Sequence, residues 1–254
     1  MGNLLRPGPT RVNCCMRKIT VLMTILVMLA GMASVSGADA QTIRSPYRFI
    51  DKKKDLGLFV GYVFTDRGQA GLGPYANPLA GAKFTLYLSG PINLGAYVAY
   101  FPSERDIIDP QAAPADRVLG KTGLNLLLLA AQLKLQLTGG RTWHRLAPYF
   151  YGGVGAAFDV TSETSCIDDP FQTNCRLPAR DRFSFGTQFM GQFGFGTIWL
   201  PTKRIGLRLT IDDTIWRLTT PVGFYDEGTQ MVPLPPAKEW TNNIQLTIGA
   251  YYWF

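Results

Sequence analysis

Few residues of this chain are of the types that carry out catalysis. The sequence has one histidine, His144, which follows Trp143 in the glycine-containing segment 139–145. Nucleophilic catalysis needs a base that activates the attacking group. A histidine beside a tryptophan in a turn is more typical of a membrane interface. We therefore expect that the protein is not an enzyme and that it has no catalytic residue and no cofactor.

Two pairs of adjacent acids are the other groups that could do chemistry. Asp168 and Asp169 lie in a polar segment, and Asp212 and Asp213 lie near the end of a predicted strand. Oxygen ligands of this kind can hold a divalent cation. Solvated carboxylates are the commoner case, so no metal site is predicted.

The four cysteines form two groups. Cys14 and Cys15 precede an apolar run near the amino end, whereas Cys166 and Cys175 lie in a polar segment without a strand pattern. Thiols of an exported chain pass through an oxidising compartment, where they pair. A disulfide between Cys166 and Cys175 is predicted. A metal site on both is the alternative, but it lacks further cysteines and a nearby histidine.

The amino end has the layout of a secretory signal. Residues 1–18 carry four basic side chains and no acid, 19–30 is an apolar or small run, and Ala38 and Ala40 form an A-x-A cleavage site. Cleavage of 1–40 is predicted, and an uncleaved membrane anchor is the alternative.

The remaining charge excess is modest. Residues 1–40 hold four of the 25 basic residues and one of the 18 acidic residues, which leaves 21 and 17, a net charge of +4. Proteins that bind nucleic acid cluster Lys and Arg on one face, so we expect no nucleic-acid partner. The one dense basic run, 52–54, falls in a predicted periplasmic extension, 41–55, which is either solvated or in contact with anionic lipid headgroups.

Beyond this extension the chain alternates between strand patterns and turn-rich breaks. From Ile244 to Phe254, apolar side chains occupy every second position, as on a strand with two different faces. Phe183, Phe185 and Phe189 share one predicted face in the same way. Several segments exceed the roughly five or six residues of a globular strand. The eight predicted strands are 56–65, 81–89, 92–101, 123–138, 146–160, 183–200, 205–217 and 240–254.

Long and short connections alternate along these strands. The short ones are 90–91, 139–145 and 201–204. Short turns of membrane barrels face the periplasm and long loops face outward, and closure pairs every backbone group. The pattern predicts an all-β, eight-stranded antiparallel up-and-down transmembrane β-barrel over 56–254. Aromatic residues near the predicted strand ends fit an interface girdle: Tyr62, Phe64, Tyr100, Trp199, Trp216, Tyr252 and Phe254.

The second face of each strand gives the predicted barrel interior. An eight-stranded barrel is just wide enough for its own side chains, so charged and amide groups there are expected to form a paired plug in preference to a pore. Arg208 and Asp212 share one face and are the candidate ion pair. The predicted plug consists of Lys83, Gln132, Lys134, Gln188, Gln192, Arg208 and Asp212, with Thr85, Asn93, Gln136, Asp159 and Gln245 also pointing inward.

With this strand count, this loop alternation and a final aromatic strand, the chain resembles the small eight-stranded bacterial outer-membrane barrels. That group includes the transmembrane domain of outer membrane protein A and the opacity-type surface proteins. The resemblance covers roughly 56–254. It implies a place in the bacterial outer membrane, contact with outer-membrane lipid and lipopolysaccharide, and insertion by the barrel-assembly machinery. Tyr252 and Phe254 would then belong to the assembly signal.

Several functions remain open. The first is a structural or adhesive role in which the long loops meet an extracellular partner, because loops on rigid scaffolds carry function. The alternative is a porin-like channel for small solutes. A lipid-A-modifying enzyme, which the resemblance also allows, is a weaker option, as is a soluble lipocalin-like carrier.

Overall fold

The segments with alternating side chains form the strands of a closed barrel. A computed structural model describes residues 47–49, 53–161 and 173–254. No helix among these residues is long and apolar enough to cross a membrane. The described residues form twelve strands: β1 (Tyr47–Phe49), β2 (Lys54–Thr65), β3 (Asn77–Ser89), β4 (Ile92–Phe101), β5 (Glu104–Ile108), β6 (Val118–Gly123), β7 (Leu126–Gln136), β8 (Arg141–Trp143), β9 (Leu146–Asp159), β10 (Thr187–Trp199), β11 (Ile205–Thr219) and β12 (Lys238–Trp253). Two short 3-10 helices cover Thr173–Arg176 and Val222–Tyr225.

Eight of these strands close on themselves. The order is β2, β3, β4, β7, β9, β10, β11 and β12, and every neighbouring pair is antiparallel. The last strand pairs with the first, from Asn243 opposite Thr65 to Trp253 opposite Asp55. We call this β12–β2 pairing the seam. The ring leaves none of these eight strands with a free edge, which confirms the predicted eight-stranded antiparallel barrel.

The outside of the barrel is apolar, as a bilayer requires. Outward side chains are exposed on every barrel strand, and Leu58 is among the most exposed of them, at 71%. Such a continuous exposed apolar belt would aggregate in water. The belt includes Leu58, Val60, Leu94, Val98, Leu129, Leu133, Phe150, Val154, Phe193, Leu209, Ile211, Leu246 and Ile248, with Tyr62, Phe64, Tyr100, Trp199, Tyr252 and Phe254 nearer the strand ends.

The two barrel ends differ in the length of their connections. One end carries 66–76, 102–125, 160–186 and 220–237, and we call it the long-loop end. The other carries 90–91, 137–145 and 200–204, and we call it the short-turn end. This is the alternation that the sequence predicts.

Two strand pairs were not predicted. β5 and β6 form a hairpin within 102–125, where a loop was expected, because Ser103 and Leu124 exchange backbone hydrogen bonds and extend the β4–β7 ladder. β1 pairs with β8 at the short-turn end. The predicted signal, 1–40, lies outside the described residues. β1 and the first two residues of β2 fall within the predicted extension 41–55.

The prediction for the strand at 183–200 was wrong at its beginning. β10 starts at Thr187, after Gly186, whose φ is 60°. This left-handed residue interrupts the alternation. Phe185, on the same predicted face as Phe189, is therefore buried while Phe189 is 61% exposed. The predicted position of Trp216 in the interface girdle was also wrong, because its side chain points inward and is fully buried.

Candidate functional site

The barrel interior has two chemically different halves. Toward the short-turn end lies a polar layer that contains charged, amide and tyrosine side chains. Toward the long-loop end lies an apolar cluster that includes loop residues. The predicted plug residues Lys83, Gln132, Lys134, Gln192, Arg208 and Asp212 are all buried in the barrel, and Gln188 is half-buried at its long-loop rim.

The ion pair of the polar layer differs from the expected one. Arg208 does not pair with Asp212; it donates a hydrogen bond of 2.9 Å to Oδ2 of Asp55. The guanidinium also lies over the ring of Tyr251, 3.9 Å from its centroid. Two residues on one strand face were expected to pair because of spacing alone, whereas Asp55 is two strands away and adjacent in space. The prediction of an Arg208–Asp212 pair is therefore wrong.

Asp55 also joins the seam to a neighbouring strand. Tyr87 donates a hydrogen bond to Oδ2 of Asp55 at 2.8 Å, and Trp253 Nε1 donates to Tyr87 Oη at 3.1 Å. Arg208, Asp55, Tyr87 and Trp253 thus connect β11, β2, β3 and β12. Buried charges are tolerated when they are paired and hydrogen-bonded, and this chain of contacts supplies both.

The second carboxylate of the polar layer, Asp212, lies farther from the short-turn end. Gln192 Nε2 lies 3.4 Å from its Oδ2. Lys83 attracts it electrostatically, and the Lys83 ammonium lies over the rings of Phe59 and Tyr97, at 4.9 and 5.3 Å from their centroids. Asp213, the next residue, is on the outer face, because successive strand residues point to opposite sides. These two acids cannot act together on one cation.

Amide side chains fill the centre of the interior. Gln132 Nε2 donates to Gln192 Oε1 at 2.8 Å, and Gln245 Nε2 donates to Thr214 Oγ1 at 2.7 Å. Tyr97 donates to Gln245 Oε1 at 3.1 Å. Hydrogen-bonded networks of this kind hold a single arrangement of side chains. The centre is therefore occupied by hydrogen-bonded groups from five strands.

An apolar cluster fills the half of the barrel nearer the long-loop end. Trp216 and Phe185 pack edge to face, with ring centroids 5.9 Å apart. Phe224 and Met231, from the connection 220–237, are buried in the same cluster. Aromatic burial of this extent removes water from the space between the strands. Other members are Val63, Leu72, Phe101, Ile108, Leu124, Leu126, Leu128, Phe183 and Met190.

The long connections are tied to one another above this cluster, and we call the described parts of them the cap. Arg67 forms an ion pair with Asp106, and Tyr75 donates to Asp106 at 2.9 Å. Burial and the hydrogen bond to Asp106 raise the pKa of Tyr75. These contacts join 66–76 to the β5–β6 hairpin.

Three further contacts brace the cap. Arg180 pairs with Asp226 at 2.5 Å, and Gly223 N donates to Arg180 O at 3.0 Å, which joins the end of 160–186 to 220–237. Gln230 N donates to Pro110 O at 2.9 Å and joins 220–237 to 102–125. The four connections therefore form one braced surface.

The remaining predicted sites are separate from the interior. His144 is exposed in a short turn, with a φ of 49°, and its ring lies 4.8 Å from that of Trp143. Cys175 lies in the 3-10 helix Thr173–Arg176 and is disulfide-bonded. Cys166 lies outside the described residues, so the pairing of the two stays a prediction. Asp168 and Asp169 also lie outside them. Within the described ranges, no group of acids, cysteines and histidine could hold a metal ion.

The sequence-based prediction missed several contributors to the polar layer, among them Asp55, Tyr87 and Tyr97. Asp55 follows a run of three lysines and was assigned to the predicted periplasmic extension. One indication was present in the sequence. Asp55 is an even number of residues from Phe59 and Val63, so all three side chains lie on the same, buried face of the strand. An acid on the inward face of the first strand predicts a buried cation elsewhere in the ring.

Comparison with solved structures returns small bacterial barrels. The chain is similar to outer membrane protein W of E. coli (14% identity, 80% of this chain and 98% of that one, TM-score 0.46). It is also similar to neisserial surface protein A (11% identity, 83% of this chain and 98% of that one, TM-score 0.44). A third similar structure is the N-terminal β-barrel domain of Pseudomonas aeruginosa OprF (13% identity, 78% of this chain and 98% of that one, TM-score 0.36).

No family model and no curated protein matches the chain. The architecture rests on the geometry itself, namely eight strands in a closed ring, an apolar outer belt and a filled interior. The chain is a small eight-stranded transmembrane β-barrel.

Proposed function

We propose that this barrel is a bacterial outer-membrane surface protein with a structural or adhesive role, in which the cap faces outward and binds an external partner. The observation that carries the proposal is a braced cap above a filled interior. Apolar side chains project from this cap, including Val232, which is 90% exposed, and Val222, at 69%. Exposed apolar groups on a rigid support are typical of interaction surfaces.

Two groups of exposed apolar residues lie on the cap. The first lies in 220–237 and consists of Val222, Val232 and Leu234; the second lies on β6 and consists of Val118 and Leu119. Tyr225 holds the first group in place, because its hydroxyl donates to Pro235 O at 2.9 Å. A segment held in this way loses less conformational entropy when it binds a partner.

Contact with lipid headgroups near the cap is part of the proposal. Arg217 and Trp240 lie opposite each other on β11 and β12, on the outer face, and the guanidinium lies 5.9 Å from the Trp240 ring. Lys238 is exposed two residues farther toward the cap. Basic groups beside an interfacial tryptophan suit the phosphates of an outer-leaflet lipid such as lipopolysaccharide.

Cell fractionation and surface labelling test the location. We expect the protein in the outer-membrane fraction, with a gel mobility that changes on boiling, and we expect an epitope inserted after Val232 to react with antibody on intact cells. A soluble protein, or an epitope that reacts only after the cells are lysed, would contradict the proposal.

Attachment assays test the role. Cells that express the protein are compared with cells that express Val232→Ser combined with Leu234→Ser, for attachment to one another and to cultured animal cells. Trp143→Ser, at an exposed apolar residue of the short-turn end, is the control. We expect attachment that the first variant loses and the control keeps. Wild-type cells that attach no better than cells without the protein, together with conductance steps in planar bilayers, would favour the channel instead.

A further inference from the structure

A small cavity lies inside the polar layer, on the side of the short-turn end. Lys134 and Arg208 bound it together with Asn93, Gln136 and Tyr149. The space between these side chains is about 210 Å³, part of it open to solvent, and about 10 Å³ of it admits the centre of a water molecule. A space of that size holds one small species. These five side chains are all less than 5% exposed.

The charges around this cavity do not balance within the described residues. The buried cations of the polar layer are Lys83, Lys134 and Arg208, and the buried carboxylates are Asp55 and Asp212. Arg208 pairs with Asp55, and Lys83 is attracted to Asp212. Lys134 donates to a neutral group, Thr85 Oγ1, at 2.8 Å. Three cations against two carboxylates leave a surplus of one positive charge, and Lys134, which forms no ion pair within the described residues, lies at the cavity.

Unused hydrogen-bond donors lie beside the same space. Arg208 uses Nη2 for Asp55, while its Nε and Nη1 are buried and have no hydrogen-bond partner among the described residues. A buried donor without a partner costs roughly 1–3 kcal/mol, and more when it is charged. The side-chain oxygens of Asn93 and Gln136 are also unpartnered. Rotation of the Asn93 amide by half a turn replaces that oxygen with an NH₂ group, whereas Gln136 Nε2 already donates to Arg141 O at 3.4 Å.

From the charge surplus, the free donors and the small cavity together, we infer that the polar layer binds one small monovalent anion between Lys134 and Arg208. The anion accepts hydrogen bonds from the ammonium and from the guanidinium, and it neutralises the surplus charge in a space that water reaches poorly. A water molecule would satisfy the donors and leave the charge. Chloride is the probe, because it is monatomic and carries one charge.

Urea unfolding of the full chain, refolded in detergent micelles, tests the site. Unfolding midpoints are measured in sodium chloride and in sodium gluconate at equal ionic strength and pH. We expect a rise in chloride that saturates, with the folded-to-unfolded ratio increasing about 11-fold when chloride is ten times its dissociation constant. Lys134→Met should abolish the difference between the two salts. Lys238→Met, at an exposed lysine of the cap, is the matched control and should keep it.

A crystal of the wild-type barrel soaked in bromide gives a second readout that needs no variant. We expect an anomalous peak in the cavity between Lys134 and Arg208. Equal midpoints in chloride and gluconate, a chloride effect that persists in Lys134→Met, or bromide peaks that appear only elsewhere would each overturn the inference. Equal midpoints together with a Lys134→Met variant that is as stable as the wild type would mean that Lys134 is held neutral instead.

Discussion

Arg208 and Asp55 pair through a 2.9 Å hydrogen bond although β12 lies between their strands in the ring. Both side chains are almost completely buried. Removal of one member of a buried ion pair leaves the other charge uncompensated and costs about 3–5 kcal/mol. Asp55→Asn is therefore expected to lower the free energy of unfolding by about that amount, as measured by urea unfolding of the refolded barrel.

Asp116→Asn provides the control for this change, because Asp116 is exposed in 102–125. The double variant Asp55→Asn with Arg208→Gln should recover part of the loss, since neither member of the pair is then left charged without the other. A single-variant loss no larger than that of Asp116→Asn would show that the pair contributes little to stability.

Close strand contacts predict opposite outcomes for two glycines. A Cβ at Gly155 would lie 1.9 Å from Leu129 O, whereas a Cβ at Gly191 meets no described atom within 4 Å. Backbone atoms of a strand cannot move aside cheaply. We expect Gly155→Ala to reduce the fraction of protein that shows folded mobility on an unboiled gel, and Gly191→Ala to leave it unchanged. Equal folded fractions would mean that the β7–β9 spacing is looser than described.

The apolar cluster predicts a contrast between two phenylalanines that were predicted to lie on the same strand face. Phe185 is buried against Trp216, and Phe189 is on the outer belt. Burial in a protein core makes Phe→Ala cost about 3–5 kcal/mol. We expect Phe185→Ala to lower the unfolding free energy by about that amount and Phe189→Ala to lower it less. Similar losses of unfolding free energy in both variants would support the uninterrupted strand that was predicted at 183–200.

Acid should affect the cap through Asp181, which lies outside the barrel strands. Burial raises the pKa of Asp181, and the nearby carboxylates of Asp226 and Asp109 add to the effect. Because the folded-state pKa is above the unfolded one, ionised Asp181 opposes folding, and this opposition disappears as the pH falls through the raised pKa.

Asp181→Asn is therefore expected to raise the unfolding midpoint near pH 7 and to give no increase near pH 3, below the ordinary carboxyl range of about 4. Asp116→Asn should show no such pH dependence. A midpoint for Asp181→Asn that lies below the wild type at pH 7 would mean that the ionised carboxylate is stabilised in the cap.

The sequence predicted the barrel well because the signal is local. Side chains that alternate along one strand report which face is in lipid, and β12 shows the predicted faces over its whole length from Ile244. Loop lengths then select the up-and-down order. These features need no knowledge of which strand residues are neighbours in space.

The details of the interior could not be read in the same way. Arg208 pairs with Asp55, which lies two strands away in the ring and 153 residues away in the sequence. The spacing of Arg208 and Asp212 gave no indication of this pair. The β5–β6 hairpin and the turn at Gly186 depend on packing beneath the cap. The apolar half of the interior was missed for a related reason, since Phe224 and Met231 come from a connection that has no periodic pattern.

Closure of the seam decides when Arg208 acquires its full set of neighbours. Asp55 lies on the first strand of the ring, and Trp253, which reaches it through Tyr87, lies at the end of the last. A growing sheet that lacks its final strand leaves this carboxylate in water, where a guanidinium gains little from it. The ion pair therefore depends on the seam, and a barrel in which β12 is not paired with β2 would lose this stabilisation.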